Sequence, residues 1–272
     1  MRRDERDGLL AYRFETLPGQ LDAFVSTRRG GVSASPYDSL DLGLRVGDED
    51  ERVVENRRRL FAAFEMPLER SVWCKQVHAD RVVVVGADDA GRGSTEEETI
   101  VGETDALVTD TPDLPLCVTV ADCVPVVIFD PQRHVVGLAH AGWGGTVARI
   151  SSRTVRVMCE RFGCDPASMV AAIGPSIGPA AYEVGGDVIE RAQASFGERA
   201  AEILTAVEGG KATFDLWSAN RIDLEEAGLS RGRIELSGIA SEAQLEDFYS
   251  HRVEGARTGR FIAAVSLRAT DR

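Results

Sequence analysis

The sequence predicts an α+β fold with mixed strand order, and three observations carry that reading. Val-rich runs bounded by Gly, Pro and Asp crowd the middle of the chain, as half-buried and fully buried strands do. Segments with apolar residues at helical spacing are interleaved with them. Neither a regular βαβ period nor a G-x-G-x-x-G or Walker loop accompanies the alternation, so a nucleotide-cofactor fold has no support. No composition break serves as a linker and no repeat is visible, so residues 1–272 read as one domain.

The elements follow in order. FVSTRRGG reads as a strand through Ala23 and Val25 that runs into a turn at Gly30 and Gly31, where backbone amides or Arg28 can meet an anion. After the loop-like SPYDSLDLGLRVGD, Asp48 or Asp50 can cap a helix through Val53, Leu60, Phe61 and Phe64 that Pro67 ends. SVWCKQVH, RVVVVGA, DALVTD, LPLCVTVADCVPVVIFDP and HVVGLAHAGW read as strands. The polar insert near 88–99, DDAGRGSTEEET with its neighbours, reads as a mobile surface loop. Val147, Ile150, Thr154, Val157 and Met158 share one face of a helix that stops at Phe162 and Gly163. MVAAIGP is a strand, and helices follow through Val188, Ile189, Ala192 and Phe196 and through Leu216, Trp217, Asn220 and Leu224. RIELSGIA and RFIAAVSL close the chain as strands.

Composition narrows the function. A hydrophobic fraction of 43% supports a buried core, which excludes disorder as the main state. The net charge of −13, with no Lys/Arg stripe to offset it, argues against a nucleic-acid partner. MRRDERDGLLAY lacks a signal-peptide core and no run approaches a membrane span, so a soluble, cytoplasmic protein is expected. Five cysteines in no regular framework agree with thiols kept reduced.

Histidine is scarce: His78, His134, His140 and His251 are all there is. His78 in KQVHAD, Cys123 in VADCVP and His140 in LAHAGWGG each lie near the end of a Val-rich run, where rigid backbone meets free space. A catalytic zinc site takes three such ligands and keeps a position open for water. Their separations are far wider than those of a self-contained zinc module, so spacing alone also allows a small core cysteine and hydrogen-bonded structural histidines. A Cys-His hydrolase, with Cys123 as nucleophile and His140 as base, uses the same groups without a metal. If SVWCKQVH is one strand, Cys74, Gln76 and His78 share a face and Gln76 can orient substrate or water. Asp122 reads as a residue that ties down a turn. The zinc deaminase signature and the G-x-S-x-G elbow are both absent.

The ordered blocks STRRGGVS, SLDLGLRVGD, ENRRRL, KQVH, DALVTD, VADCVPVVIFDP, GLAHAGW, IGPSIGP with YEVG, and FYSHRVEGARTGR resemble the YfiH-type, or laccase-domain, family over nearly the whole chain. The resemblance implies an α/β sandwich with mixed sheets, similar to cysteine hydrolases of the cytotoxic necrotizing factor type. It implies a catalytic zinc on His78, Cys123 and His140, and purine nucleoside chemistry. That chemistry is phosphorolysis of adenosine, inosine, guanosine or methylthioadenosine, and deamination of adenosine. It also brings a possible tie to peptidoglycan editing. The older multicopper label is rejected on composition, because a blue-copper site alone uses two His and one Cys and the two remaining histidines cannot build a further cluster.

The chain departs from the family pattern at Gly144, where arginine is usual, at Asp41 and Arg45, at Ala180 and Ala181, and around Ala240 and Ser241. Losing an arginine beside a metal ligand and adding a carboxylate weakens the expectation of phosphate binding. The candidates for holding phosphate are Arg28 and Arg252, with surface salt bridges as their alternative role. Trp143 and Tyr182 are placed to stack on a base or to pack. His134 reads as an exposed turn residue, and His251 carries no metal role. The rival class is a zinc-binding interaction protein without catalysis.

Overall fold

The computed structural model describes residues 1–44 and 46–269. Its elements begin with β1 (Arg2–Arg6), β2 (Leu9–Arg13), β3 (Leu21–Ser26), α1 (Asp50–Ala63), β4 (Val72–Trp73), β5 (Val82–Val84) and β6 (Ala106–Thr109). The central run is β7 (Leu116–Val120), β8 (Val124–Asp130), β9 (Val135–Ala141), α2 (Trp143–Val147), α3 (Ile150–Phe162) and β10 (Val170–Ile173). Then come β11 (Glu183–Val184), α4 (Gly186–Phe196), β12 (Leu204–Val207), β13 (Lys211–Phe214), α5 (Leu216–Glu226), β14 (Ile234–Leu236), α6 (His251–Glu254) and β15 (Phe261–Leu267).

Two six-stranded sheets, ordered β1-β2-β3-β15-β7-β4 and β14-β10-β8-β9-β6-β5, are joined by a small sheet β11-β13-β12. Both large sheets are mixed: β4 runs parallel to β7, β5 to β6 and β10 to β14, while the other neighbours are antiparallel. Side-chain alternation decides the layers. Val127 and Phe129 of β8 share a core with Val118, Val120, Phe261 and Ala263 of the other sheet. Val126 and Ile128 point the opposite way, into a core with Ile150, Met158 and Ile222 of the helices. On the far side, Phe24, Cys117 and Ile262 pack on Leu60, Phe61 and Phe64. The result is helix, sheet, sheet, helix, and strands buried on both faces need the continuous apolar runs seen in VPVVIFD and FIAAVSL. Each such Val, Ile or Phe contributes roughly 1.5–3 kcal/mol by leaving water.

Several expectations need correction. The strand expected over SVWCKQVH ends at Trp73, with only a bridge from Cys74 to Val101 beyond it. His78 takes a left-handed conformation at φ 59°, so Cys74, Gln76 and His78 do not share a strand face. The run LPLCVTVADCVPVVIFDP is two strands broken at Asp122, φ 81°. Helix α1 stops at Ala63, before Pro67, and its N-cap position is Glu49, with no side-chain cap from Asp48 or Asp50. The hairpin β1–β2 was not expected from its charged sequence; it turns at Asp7 and Gly8, both at positive φ, which is the dipeptide this tight turn prefers. Gly163 does close α3 in the left-handed conformation.

Segment 88–99 contains parts of two short 3₁₀ turns, Ala87–Asp89 and Glu97–Thr99. The buried guanidinium of Arg57, 3.6 Å from the Trp73 ring centroid, donates to the Gly93 and Ser94 carbonyls. No helix of the described residues is long and apolar enough to cross a membrane. All five cysteines are unbridged.

Candidate metal centre

Asp105, at the entry to β6, organises the site. It is fully buried, and its Oδ1 accepts from the His78 amide at 2.9 Å and from His140 Nδ1 at 2.9 Å. Its Oδ2 accepts from the Ala79 amide at 2.9 Å and the Val77 amide at 3.2 Å. These amides find in one carboxylate the partners a strand ladder would otherwise supply, which is why the chain leaves the sheet after Cys74 and turns left-handed at His78. Burial would raise the Asp105 carboxyl, but the His140 hydrogen bond and charge, with the amides, hold it below the usual carboxylate range.

His140 lies in β9, opposite Pro125 of β8, with its own amide bonded to the Asp105 carbonyl at 2.7 Å. A carboxylate only accepts, so Nδ1 of His140 carries the proton and Nε2 is left for a ligand. Cys123 stands where the β7–β8 turn re-enters the sheet, and its Sγ is 3.8 Å from His78 Nε2. The His78 and His140 rings meet edge to face at 4.9 Å. Ligand atoms of His78, Cys123 and His140 all lie within 4.8 Å of one another, so the three predicted ligands converge. Two imidazoles and a thiol, one ring braced from behind by a carboxylate, form a donor set suited to a zinc-like ion.

The electrostatics agree with a soft cation site. Burial pushes the Cys123 thiol up, yet the charge of His140 and hydrogen bonds to both imidazoles bring it down to about 6. Burial alone would depress His140, but the Cys123 thiolate and Asp105 raise it to about 9. A lowered thiol is ionised above its pKa. In metal-free protein, alkylation of Cys123 by iodoacetamide should therefore persist from pH 8 down to about 6 and fall off below. Mass spectrometry of the Cys123 peptide across pH 5–9 checks this; a rate that has already dropped tenfold between pH 8 and pH 7 would contradict it.

Close packing around the trio explains two glycines. A Cβ on Gly142 would sit 2.8 Å from His78 Cδ2 and 3.0 Å from Cys123 Sγ. One on Gly144 would meet the His78 carbonyl oxygen at 2.5 Å. We expect Gly142→Ala to push two ligands apart and lower metal affinity by about 10–100-fold, as disturbance of ligand orientation does, with little change in helix content. Competition against a chromophoric chelator, with circular dichroism alongside, measures both.

The centre opens into a cavity of about 520 Å³ also lined by Gln76, Trp143, Tyr182, His251, Arg252 and Arg260. Gln76 is bound at both ends of its amide: the oxygen accepts from the Thr119 amide and hydroxyl, each at 2.9 Å, and the nitrogen donates to the Thr119 carbonyl at 2.7 Å. Arg252 donates its backbone amide to Asp122 Oδ2 at 2.6 Å and its guanidinium to the Glu183 carbonyl at 3.1 Å, 5.0 Å from the Tyr182 ring. Asp122 also accepts from Ser241 and Ser250, so it ties turns together as its position suggested.

Arg28 does not line this cavity. It is paired with Glu254 at 2.7 Å, donates to the Asp38 and Leu245 carbonyls and lies 4.3 Å from the Tyr249 ring. His134 is half-buried beside Phe129, away from the centre. Asp41 is fully buried, accepting from the Arg260 and Gly43 amides, and burial pushes it up to about 7. Arg45 lies outside the described residues. The sequence reading missed Asp105 and Arg260 as site residues.

The protein is thus a mixed two-sheet sandwich carrying a His-Cys-His group that could hold a metal, open to a cavity of about 520 Å³. The chain belongs to the family described as multi-copper polyphenol oxidoreductase laccase, whose model matches residues 22–268. It is 37% identical over 248 residues to the purine nucleoside phosphorylase YlmD of Bacillus subtilis, covering 90% of this chain and 88% of that protein. The crystal structure of YlmD from Geobacillus stearothermophilus superposes with a TM-score of 0.94 at 35% identity, covering 98% of each chain. That of the hypothetical protein YfiH from Bacillus licheniformis gives 0.92 at 34% identity, covering 96% of this chain and 97% of that one.

Proposed function

We propose that the protein is a zinc-dependent purine nucleoside phosphorylase that also deaminates adenosine. The observation that carries this reading is the convergence of His78, Cys123 and His140 in a cavity lined by Trp143, Tyr182 and the guanidinium-bearing Arg57, Arg252 and Arg260. A volume of about 520 Å³ falls in the range of small-molecule sites and accommodates a nucleoside with an oxyanion. When bound, a zinc ion supplies Lewis acidity toward a water or substrate oxygen. The aromatic side chains offer stacking faces for a purine, and Arg252 offers charge for phosphate.

In phosphorolysis a phosphate oxygen bonds to ribose C1′ while the C1′–N9 bond breaks. The electron pair leaves on the base, which takes a proton, and base and sugar 1-phosphate result. In deamination, water adds at C6 of the purine and ammonia departs, leaving inosine. Zinc fits the donor set better than a multicopper assembly: among the described residues this trio is the group able to hold a metal, and all four histidines are described.

Metal analysis of purified protein, together with adenosine turnover with and without phosphate, tests the proposal. The expected result is about one zinc per chain, adenine and ribose 1-phosphate only with phosphate, and inosine in either case. Wild-type protein that releases neither base nor inosine refutes it. Turnover that survives chelation but not iodoacetamide would instead establish a metal-free cysteine hydrolase, and a zinc-loaded protein inert toward nucleosides would establish an interaction protein.

A further inference from the structure

In a chain of net charge −13, many arginines are paired with a carboxylate: Arg13 lies against Asp4 and Asp22, Arg28 against Glu254, and Arg149 against Asp223 and Glu226. Arg252 and Arg260 lie on the cavity wall, and among the described residues neither forms an ion pair with a carboxylate. Arg260 is half-buried. Its Nη1 donates to the Thr258 and Gly259 carbonyls at 2.7 and 2.9 Å, while Nε and Nη2 have no partner among the described residues. Its stem passes tightly over Gly43, where a Cβ would meet Arg260 Cγ at 2.9 Å, and its amide is anchored on Asp41 at 2.7 Å. A guanidinium held this firmly, with three of its five N–H donors open among the described residues and no carboxylate in direct contact with it, is arranged for an anion that comes and goes.

The backbone between the two arginines is braced as well. Asp122, next to the ligand Cys123, accepts from the Arg252 amide and from Ser250. Glu254 accepts from Arg28, the Ser250 amide and Thr258. Arg28 therefore acts on this segment from outside the cavity.

We propose that Arg260, with Arg252, forms the phosphate subsite, and that Asp122 and the Arg28–Glu254 pair are positioning residues for it. This rests on the phosphorylase reading of the same cavity. The ligand is a phosphate dianion presented either as inorganic phosphate or as the phosphate of a sugar 1-phosphate. Planar guanidinium groups suit both, and the metal trio lies in the same cavity for the nucleoside.

The test compares wild type, Arg260→Gln and Arg260→Lys in the zinc-loaded protein. Forward reactions are run with adenosine and inorganic phosphate, reverse reactions with adenine and ribose 1-phosphate, and inorganic phosphate binding is measured by calorimetry. Arg260→Gln is expected to raise the KM for phosphate and for ribose 1-phosphate by about 10–100-fold, the scale of one charge-assisted hydrogen bond. Zinc content and the KM for adenosine should stay within about twofold, and Arg260→Lys should recover part of the loss. An unchanged phosphate KM in Arg260→Gln overturns the subsite and leaves the phosphorylase reading standing. Wild-type protein without phosphate-dependent turnover refutes that reading. In that case phosphate binding that disappears in Arg260→Gln sustains the subsite, and no phosphate binding by wild type overturns it.

Discussion

Cys123→Ala is expected to purify without stoichiometric metal and to lose more than about 100-fold in nucleoside turnover, because even removal of an outer partner of a metal ligand costs about 10–100-fold. The physical reason is charge. Cys123 is the one anionic donor among the three ligands, and the imidazoles already hold its thiol down to about 6, so it is ionised at neutral pH and ready for a cation. Stability should change little. The side chain is half-buried at the mouth of the two-sheet core rather than inside it, and alanine removes a single sulfur. Plasma mass spectrometry, turnover and thermal melting on the same preparation separate these effects. A variant that keeps its zinc, or loses activity only by unfolding, would remove Cys123 from the centre. Chelation of wild type completes the test, since loss of activity on chelation and its return with zinc place the chemistry on the ion rather than on a nucleophilic thiolate.

How much of this was readable beforehand differs residue by residue. His78, Cys123 and His140 stood out because histidine is scarce and each sits at the end of an apolar run, but their convergence came from the family resemblance. It could not have come from spacing, since the ligands are brought together by sheet order: β9 lies between β8 and β6, an arrangement set by non-local pairing. Strand positions were legible where both faces are buried, as in FIAAVSL, and wrong at SVWCKQVH, where a distant carboxylate outcompetes the ladder for three amides. Arg28 was misplaced for a related reason. The glycines beside it suggested an anion-binding turn, whereas Gly31 is required because a Cβ there would collide with the Ser39 carbonyl and Leu40. Asp105 begins DALVTD as any strand-entry aspartate would, and only the fold shows what it collects.

That collection makes Asp105 the position where substitution should damage fold and metal site together. Asp105→Ala leaves the Val77, His78 and Ala79 amides and His140 Nδ1–H without their acceptor. A buried donor left unsatisfied costs about 1–3 kcal/mol, and water can reach the exposed His78 end but not the buried His140 end, so a net loss of about 3 kcal/mol or more is expected. Asp105→Asn is the sharper test. With its oxygen toward His78 and His140 the amide points a donor at the Val77 and Ala79 amides. Reversed, it donates to His140 Nδ1, drives the imidazole proton to Nε2 and blocks the ligand position. Either way metal affinity should fall by about 10–100-fold. Urea unfolding with and without zinc separates the two effects, because the metal-free difference reports the lost hydrogen bonds and the additional difference with zinc reports coupling to the ion. The pH dependence has a definite sign. Asp105 is held below the ordinary carboxylate value, so its stabilisation is complete at neutral pH and lost as pH falls through the folded value. The stability gap between wild type and Asp105→Asn should therefore grow as pH falls from about 9 to 6.5, because Asp105 helps raise His140 to about 9, hold steady to about pH 5, and narrow below about 4. A gap that widens below about pH 4 would mean that the carboxylate is not what holds His78 and His140 in place.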